Sequence, residues 1–349
     1  MKRTNKEIAQ LLGISITSVS LALNDRPGVS EETRQKVFAL KNGYGNQNVI
    51  LSGKSDGNTV DNGTLLLIIH KNSGRIINDK PFFSNLVEAV QMEAMKQSYH
   101  VVLAHYTPEL AIRDYLNYIR NLNTKGIILM ATEMELNDLT LYQTIDVPIV
   151  LLDASFDMEP IDSVELDNQN SILKAYSYLY SLGHRSIGYL KSETRIRNFD
   201  HRYDGFCKAM RIFNTESYSH PVVSLPPTVE DAYLTMKDYL DSLPEGSEMP
   251  TAFLSDLDYI AISAIRALKE SGYKVPEDIS VIGYDDIPEC ETCTPPLTTI
   301  QVNRSDIGVI AADRLIRKIR MHDNFFTTSQ VASQLIKRSS VADIRSKRT

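Results

Sequence analysis

From residue 64 onward, short apolar runs alternate with amphipathic stretches. The runs are Leu65–Ile69, Val101–Ala104, Ile127–Met130, Ile149–Leu152, Ile187–Leu190, Val222–Leu225, Ala252–Ser255 and Ile279–Tyr284. Segments such as Leu86–Met95 and Ile260–Leu268 have helical spacing between them. A strand that is apolar at consecutive positions is buried on both faces, so the alternation predicts parallel sheets covered by helices. Eight or more strands exceed one comfortable core. The pattern therefore predicts two α/β lobes, with a ligand site at the carboxyl ends of their strands where the lobes face each other.

The first 45 residues follow another rhythm. Thr4-Asn5-Lys6-Glu7 reads as a capping box, followed by Ile8, Leu11 and Leu12 on one helical face and Gly13 as a stop. Ser15 caps a second helix whose inner face is Val19, Ala22 and Leu23. Asn24–Gly28 is a turn cluster, and Ser30 with Glu31 and Glu32 opens a third helix bearing Val37, Leu40 and Tyr44. Two short helices around a Gly turn, closed by a third, define a helix-turn-helix unit. Its second helix would enter a DNA major groove N-terminus first, presenting Ile16, Thr17, Ser20 and Leu21. Thr17 and Ser20 can bond base edges or phosphates, Ile16 can meet a thymine methyl, and the helix starts at Thr4 and Ser15 suit phosphate. Thr4, Ser15, Ile16, Thr17, Ser20 and Asn24 form the candidate DNA-contact set. The alternative for this head is a three-helix module that binds protein.

Charge separates the two parts. Residues 1–54 carry eight Lys/Arg and four Asp/Glu, a net +4; the whole chain is at -7, which leaves -11 for the rest. A basic head on an acidic body suits a phosphate-binding module attached to a soluble one. Between them, 46–63 is polar and rich in Gly, Asn and Ser, a connector by composition. The 349 residues hold no apolar run long enough for a membrane span, and the N-terminus has no secretory apolar segment, so the cytoplasm is expected. Three cysteines give no disulfide framework. Cys290-x-x-Cys293 lacks a second pair for a metal, and neither metal nor cofactor is expected. No GxSxG, GxGxxG or P-loop pattern occurs, so the expectation is that the chain is not an enzyme.

The stretch TNKEIAQLLGISITSVSLALNDRPGVSEETRQKV resembles the DNA-binding head of the lac repressor (LacI/GalR) family, with Leu21 where many relatives carry Arg. Further matching pieces run along the body: PIVLLD (148–153), LGHRSI (182–187), RYDGF (202–206), VPEDISVIGYDDI (275–287), PPLTTI (295–300) and KRSSV (337–341). The resemblance implies a periplasmic-binding-protein-like effector domain over 64–343 with discontinuous lobes. Lobe one would comprise 64–167 plus 298–329, and lobe two 168–297 plus 330–343, so that the chain crosses three times at a hinge. It also implies a hinge helix on DNA, with Leu51 or Ile50 wedged into the minor groove. Implied effector contacts are Phe83 by stacking, Arg202 as a forked donor, and Asp258 and Asp285 as acceptors. Leu257 replaces the Asn that many relatives have before the Asp. For each of the four, a structural role within the cleft is the competing reading.

The expected protein is a sequence-specific transcriptional repressor, bound as a homodimer to operator DNA and controlled by a sugar or sugar derivative. A corepressor effector or a partner phosphoprotein stays as an alternative. No heptad segment follows KRSSV, so a dimer is expected over a tetramer. The rival classes are an exported solute-binding module, which would need a signal segment, and a nucleotide-binding enzyme, which would show turnover.

Overall fold

The computed structural model describes residues 4–12, 14–23, 28, 29, 33, 37, 62–77 and 80–348, apart from some side chains, including those of 80–83. The chain forms two compact units, Met1–Thr59 and Val60–Thr349.

In the first unit, α1 (Asn5–Leu12) and α2 (Ile16–Leu23) pack through Ile8, Ala9, Val19 and Ala22, with Val37 buried among them. Ile8, Val19, Ala22 and Val37 are inner positions that the 3,4-spacing selects, and Ala9 joins them. Ser15 caps α2 as expected, its Oγ accepting from the Ser18 amide at 2.9 Å. The third helix is described only at Thr33 and Val37, both helical.

The second unit contains two six-stranded sheets. The first has the order β11-β5-β4-β3-β1-β2, all parallel; the second has β12-β10-β9-β8-β6-β7, parallel except for β12 against β10. Strands β1 (Thr64–His70), β2 (His100–Tyr106), β3 (Gly126–Met130), β4 (Ile149–Leu152) and β5 (Asp162–Leu166) alternate with α3 (Lys80–Lys96), α4 (Ile112–Asn121) and α5 (Leu136–Tyr142). The second sheet repeats the plan with β6 (Ile187–Ser192), β7 (Val222–Leu225), β8 (Ala252–Ser255), β9 (Ser280–Asp285) and β10 (Thr298–Gln301). Its helices are α6 (Asn168–Ser181), α7 (Arg197–Ile212), α8 (Val229–Asp241), α9 (Asp258–Glu270) and the short α10 (Glu289–Thr292). The chain then returns through α11 (Arg304–Met321), β11 (Thr328–Val331) and β12 (Gln334–Ile336). All eight apolar runs coincide with strands, Ile279 alone falling one residue ahead of β9, and β1, β3 and β4 are buried along nearly their whole length.

Two of the expected crossing points move. Strand β10, at 298–301, was expected in lobe one but pairs in parallel with β9 in the second sheet, so the return comes between Gln301 and α11. Strand β11 pairs with β5 as far as Leu166↔Val331, which carries lobe one past 329. Both shifts have the same cause. Each crossing strand completes its ladder before the chain leaves the sheet, because a buried strand end with unpaired amides is costly. Side by side at the hinge, the Asp167 amide donates to the Val331 carbonyl at 3.0 Å, and Ser171 and Ser333 share a hydrogen bond.

No helix among the described residues is long and apolar enough to cross a membrane.

Helices α6 and α7 approach so closely that a Cβ at Gly205 would lie 2.6 Å from the Gln169 carbonyl oxygen and 2.9 Å from its Cα. Backbone cannot yield as a side-chain tip can. Gly205→Ala is therefore expected to destabilise the body by about 1–3 kcal/mol, seen as a lower urea midpoint with native helicity retained.

Candidate functional site

Both sheets have the strand order 2-1-3-4-5 at their core, which leaves a crevice at the carboxyl ends where the winding reverses. A cavity of about 250 Å³ lies there, and each lobe contributes strand-end residues to it. From lobe one come Arg75 and Ile76 after β1, Thr132 after β3 and Asp153 after β4. From lobe two come Ile196, Pro227, Leu257 and Asp285, the first three after β6, β7 and β8 and the last ending β9, with Asn198, Phe199 and Arg202 from the first turns of α7. Tyr259 and Arg304 complete the wall.

Arg202 is the buried centre of lobe two's face. Its Nε donates to Asn168 Oδ1 at 2.9 Å and its Nη1 to the Asp256 carbonyl. Its Nη2 lies 3.8 Å from Asp285 Oδ1, and the guanidinium carbon sits 3.5 Å over the Tyr284 ring. Burial opposes the charge, but Tyr284, Asp285 and Asp256 outweigh it and raise the pKa further. Asp256 is equally buried. It accepts from Tyr189 Oη at 2.6 Å, the Ser192 amide at 2.8 Å and Arg195 Nη1 at 2.7 Å. Arg202 therefore spends much of its fork on holding lobe two together.

Opposite stands Asp153, a residue that the sequence expectations did not single out although it ends the PIVLLD run. It has a left-handed backbone, φ 67°, rare for a non-glycine residue and typical of positions held for function. Oδ2 accepts from Thr132 Oγ1 at 2.6 Å, and the Asp153 carbonyl accepts from Asn198 Nδ2 at 3.0 Å, a bond that joins the lobes. Oδ1 is buried and has no hydrogen-bond partner among the described residues. Asp285 too has positive φ, 116°, so a carboxylate is turned out of each sheet end at matching places.

Of the four expected effector contacts, Arg202 and Asp285 line the cavity. Asp258 does not, which corrects that expectation. As the first residue of α9 it turns into lobe two's core, where its Oδ1 accepts from Thr299 Oγ1 at 2.6 Å and Oδ2 from the Ile287 amide at 3.1 Å. Its neighbours Leu257 and Tyr259 meet the cavity in its place. Phe83 lies in α3, and its side chain is outside the described part. In the head, Ile16 is 52% exposed, and Ser15, Thr17 and Ser20 are exposed along the same helix start. Leu21 is half-buried beside Gly28. Thr4 is exposed ahead of α1, while Asn24 and Leu51 lie outside the described residues. Cys290 and Cys293 are both free thiols.

The model of bacterial regulatory proteins of the lacI family matches residues 4–42, and that of the periplasmic binding protein-like domain matches residues 176–341. The HTH-type transcriptional repressor PurR of Histophilus somni (strain 129Pt) is 31% identical over 345 residues, 97% of this chain and 98% of that protein. The lac repressor dimer bound to operator and the anti-inducer ONPF is 25% identical with a TM-score of 0.67, over 98% of this chain and 100% of that one. The transcriptional regulator CelR in complex with cellobiose shares the fold at 22% identity and a TM-score of 0.70, over 97% of this chain and 100% of that one. The chain belongs to the lacI family of bacterial regulatory proteins. It is a DNA-binding transcriptional repressor of that type.

Burial pushes the Asp153 carboxyl up from 3.8 to about 6, opposed only in part by Thr132 and Arg202. Between those values the folded protein keeps a proton that the unfolded chain has released. Stability therefore falls as pH rises through this window, and the cost is complete above it. Asp153→Asn is expected to remove that contribution, up to about 3 kcal/mol. The variant's Tm should exceed the parent's at pH 7.5, with the gap closing towards pH 4. An equal Tm difference at both pH values would contradict the assignment.

Proposed function

We propose that the chain binds a pseudo-palindromic operator as a homodimer, and that a small polyhydroxylated effector, a sugar or sugar derivative, sets its operator affinity from the cavity between the lobes. The observation that carries the effector reading is Asp153 Oδ1, a buried cavity-lining acceptor without a partner. A buried acceptor left unmade is expensive, and a hydroxyl donor from an occupant would satisfy it. Across the cavity, Asp285 offers further acceptors, and Tyr259 lines the wall with an aromatic ring of the kind that suits a sugar. Occupancy touching both lobes would favour one lobe arrangement over another, and coupling of that kind is typically about 1–3 kcal/mol.

Support for a dimer comes from β2, an edge strand exposed along most of its length, Val102 and Leu103 included. Met92 and Met95 on α3 are also exposed. An open strand edge that exposes Val102 and Leu103, beside a helix that exposes two methionines, invites a second copy, because it otherwise courts aggregation.

The effector reading is tested by thermal shift of the full chain with neutral sugars, sugar acids, sugar phosphates and purine bases, repeated with Arg202→Ala. At least one polyhydroxylated compound should raise the parent's Tm and leave the variant's unchanged. A compound that still stabilises Arg202→Ala does not use this cavity.

The DNA reading is tested at Thr17 and Ser20. Replacing either by Ala should weaken operator binding by about 1–2 kcal/mol, roughly 5–30-fold, and leave binding to random duplex nearly unchanged. Equal weakening on both DNAs would make these contacts phosphate contacts alone.

A further inference from the structure

Three arginines line the cavity from three segments: Arg75 after β1, Arg202 on α7 and Arg304 at the start of α11. Two carboxylates accompany them. Asp285 is answered by Arg202, 3.8 Å away, and burial draws Asp153 towards its neutral form. Among the described lining residues the guanidiniums thus outnumber the carboxylates. Arg304 donates through Nη2 to the Asp285 carbonyl at 3.1 Å, which aims it along the cavity wall. Arg75 is exposed, and its guanidinium has no ion pair with a carboxylate among the described residues.

The backbone that carries Arg75 is nevertheless firmly held. Its loop is wound around the buried carboxylate of Glu133. Oε2 accepts from the amides of Asn72, Ser73 and Gly74 at 3.1, 2.9 and 2.8 Å, and Oε1 from those of Ile76 and Ile77 at 2.9 and 3.1 Å. Asn72 then donates to the Glu133 carbonyl at 2.9 Å and to Asp138 at 3.0 Å, and its Oδ1 lies 3.1 Å from Nε2 of the buried His70. Burial alone would raise the Glu133 pKa, but the ring of amides overrides it and holds the carboxyl below its ordinary value. Five of the seven amides from Lys71 to Ile77 are thus spent on one anion, and the loop's shape is set by it. At the top of that loop stand Arg75 and Ile76, both at the cavity. A protein that needed only to close the β1–α3 turn would not require a buried charge to do so.

We propose that the effector is a small polyhydroxylated acid, whose phosphate or carboxylate is received by Arg75 together with Arg304 while Asp153 and Asp285 take its hydroxyls, and that Glu133 is the positioning residue for Arg75. The inference rests on the cavity being the effector site. Phosphate and carboxylate share the chemistry that a guanidinium pair reads, so the two sources are told apart by measurement.

Isothermal titration of the full chain with matched probes is decisive. The probes are neutral hexoses and pentoses, their terminal phosphates, the corresponding uronates, and adenine, guanine and hypoxanthine. At least one acid should bind tenfold or more tightly than its neutral parent at low salt, with the ratio shrinking at high salt. Whether phosphate or uronate shows the larger ratio identifies the acid group. Arg75→Gln should bring the acid down to the neutral parent's affinity with an unchanged urea midpoint, whereas Arg113→Gln, which removes an exposed charge on α4, should preserve the ratio. Glu133→Gln should reduce the ratio without abolishing binding of the neutral parent. The inference is overturned if a neutral sugar or a purine binds as well as the acids, or if Arg75→Gln keeps the preference. A neutral binder that is lost in Arg202→Ala would sink this inference alone and leave the cavity reading standing. Absence of heat with every probe would count against both.

Discussion

Arg202 gathers three segments of the second lobe at one point: the start of α6 through Asn168, the end of β8 through the Asp256 carbonyl, and the end of β9 through both Tyr284 and Asp285. Each of these lies at the carboxyl edge of the sheet, where loops would otherwise be free to settle independently. A guanidinium can do this because its donors are planar and fixed in direction, and because it keeps its charge when buried. The cost of burying it is offset only while all its partners remain in place. The cavity wall on this side therefore behaves as one body. Anything that moves Asp285 moves Tyr284, Asn168 and Asp256 with it.

Lobe one solves the same problem with anions. Glu133 is wrapped by amides and fixes the β1–α3 loop, and Asp153 is held by Thr132 and reaches Asn198 of the other lobe through its carbonyl. A cation therefore organises one wall and carboxylates the other. The walls face each other because both sheets have the same winding order and both present their carboxyl ends. Left-handed Asp153 and Asp285 are the local expression of that arrangement, since the strand must turn sharply there to send its carboxylate into the gap.

Much of this was legible from residue pattern. Apolar strands such as LLLII and IVLL have no alternative to a doubly covered sheet, and the 3,4-spacing of Ile8, Val19 and Ala22 selected the head's core residues. Strands β5, β10, β11 and β12 were not legible as apolar runs, because they carry Asp162, Glu165, Thr298, Gln330 and Gln334. Those side chains are tolerated because of partners far away in sequence. Asp162, fully buried, accepts from Arg314 Nε at 2.6 Å, from Lys318 and from the Thr327 amide at 2.9 Å. Asp258 shows the reverse difficulty. Its place in the chain suggested the cleft, but the side chain's direction depends on Thr299 and the Ile287 amide, which no local pattern reveals. Glu133 was invisible for the same reason, as five of its donors are backbone amides, which any sequence supplies.

The polar strands that escape pattern reading are those that join the lobes. β5 and β11 pair up to the crossing, Glu165 accepts from Gln330 Nε2 at 2.8 Å and from Ser155 Oγ at 2.9 Å, and Ser171 meets Ser333 just beyond. An apolar hinge would be held only by contact area and would be free to slide. Hydrogen bonds between crossing segments fix their register and still allow the segments to bend together. A ligand can shift an equilibrium between lobe arrangements only by the difference in its affinity for them. That difference is largest when its partners are divided between rigid walls and the connection between the walls is compliant in one direction. The buried charges tie the segments of each wall together and the crossings are paired by hydrogen bonds, so these polar groups, few of them in the apolar pattern, are what such a response would act through.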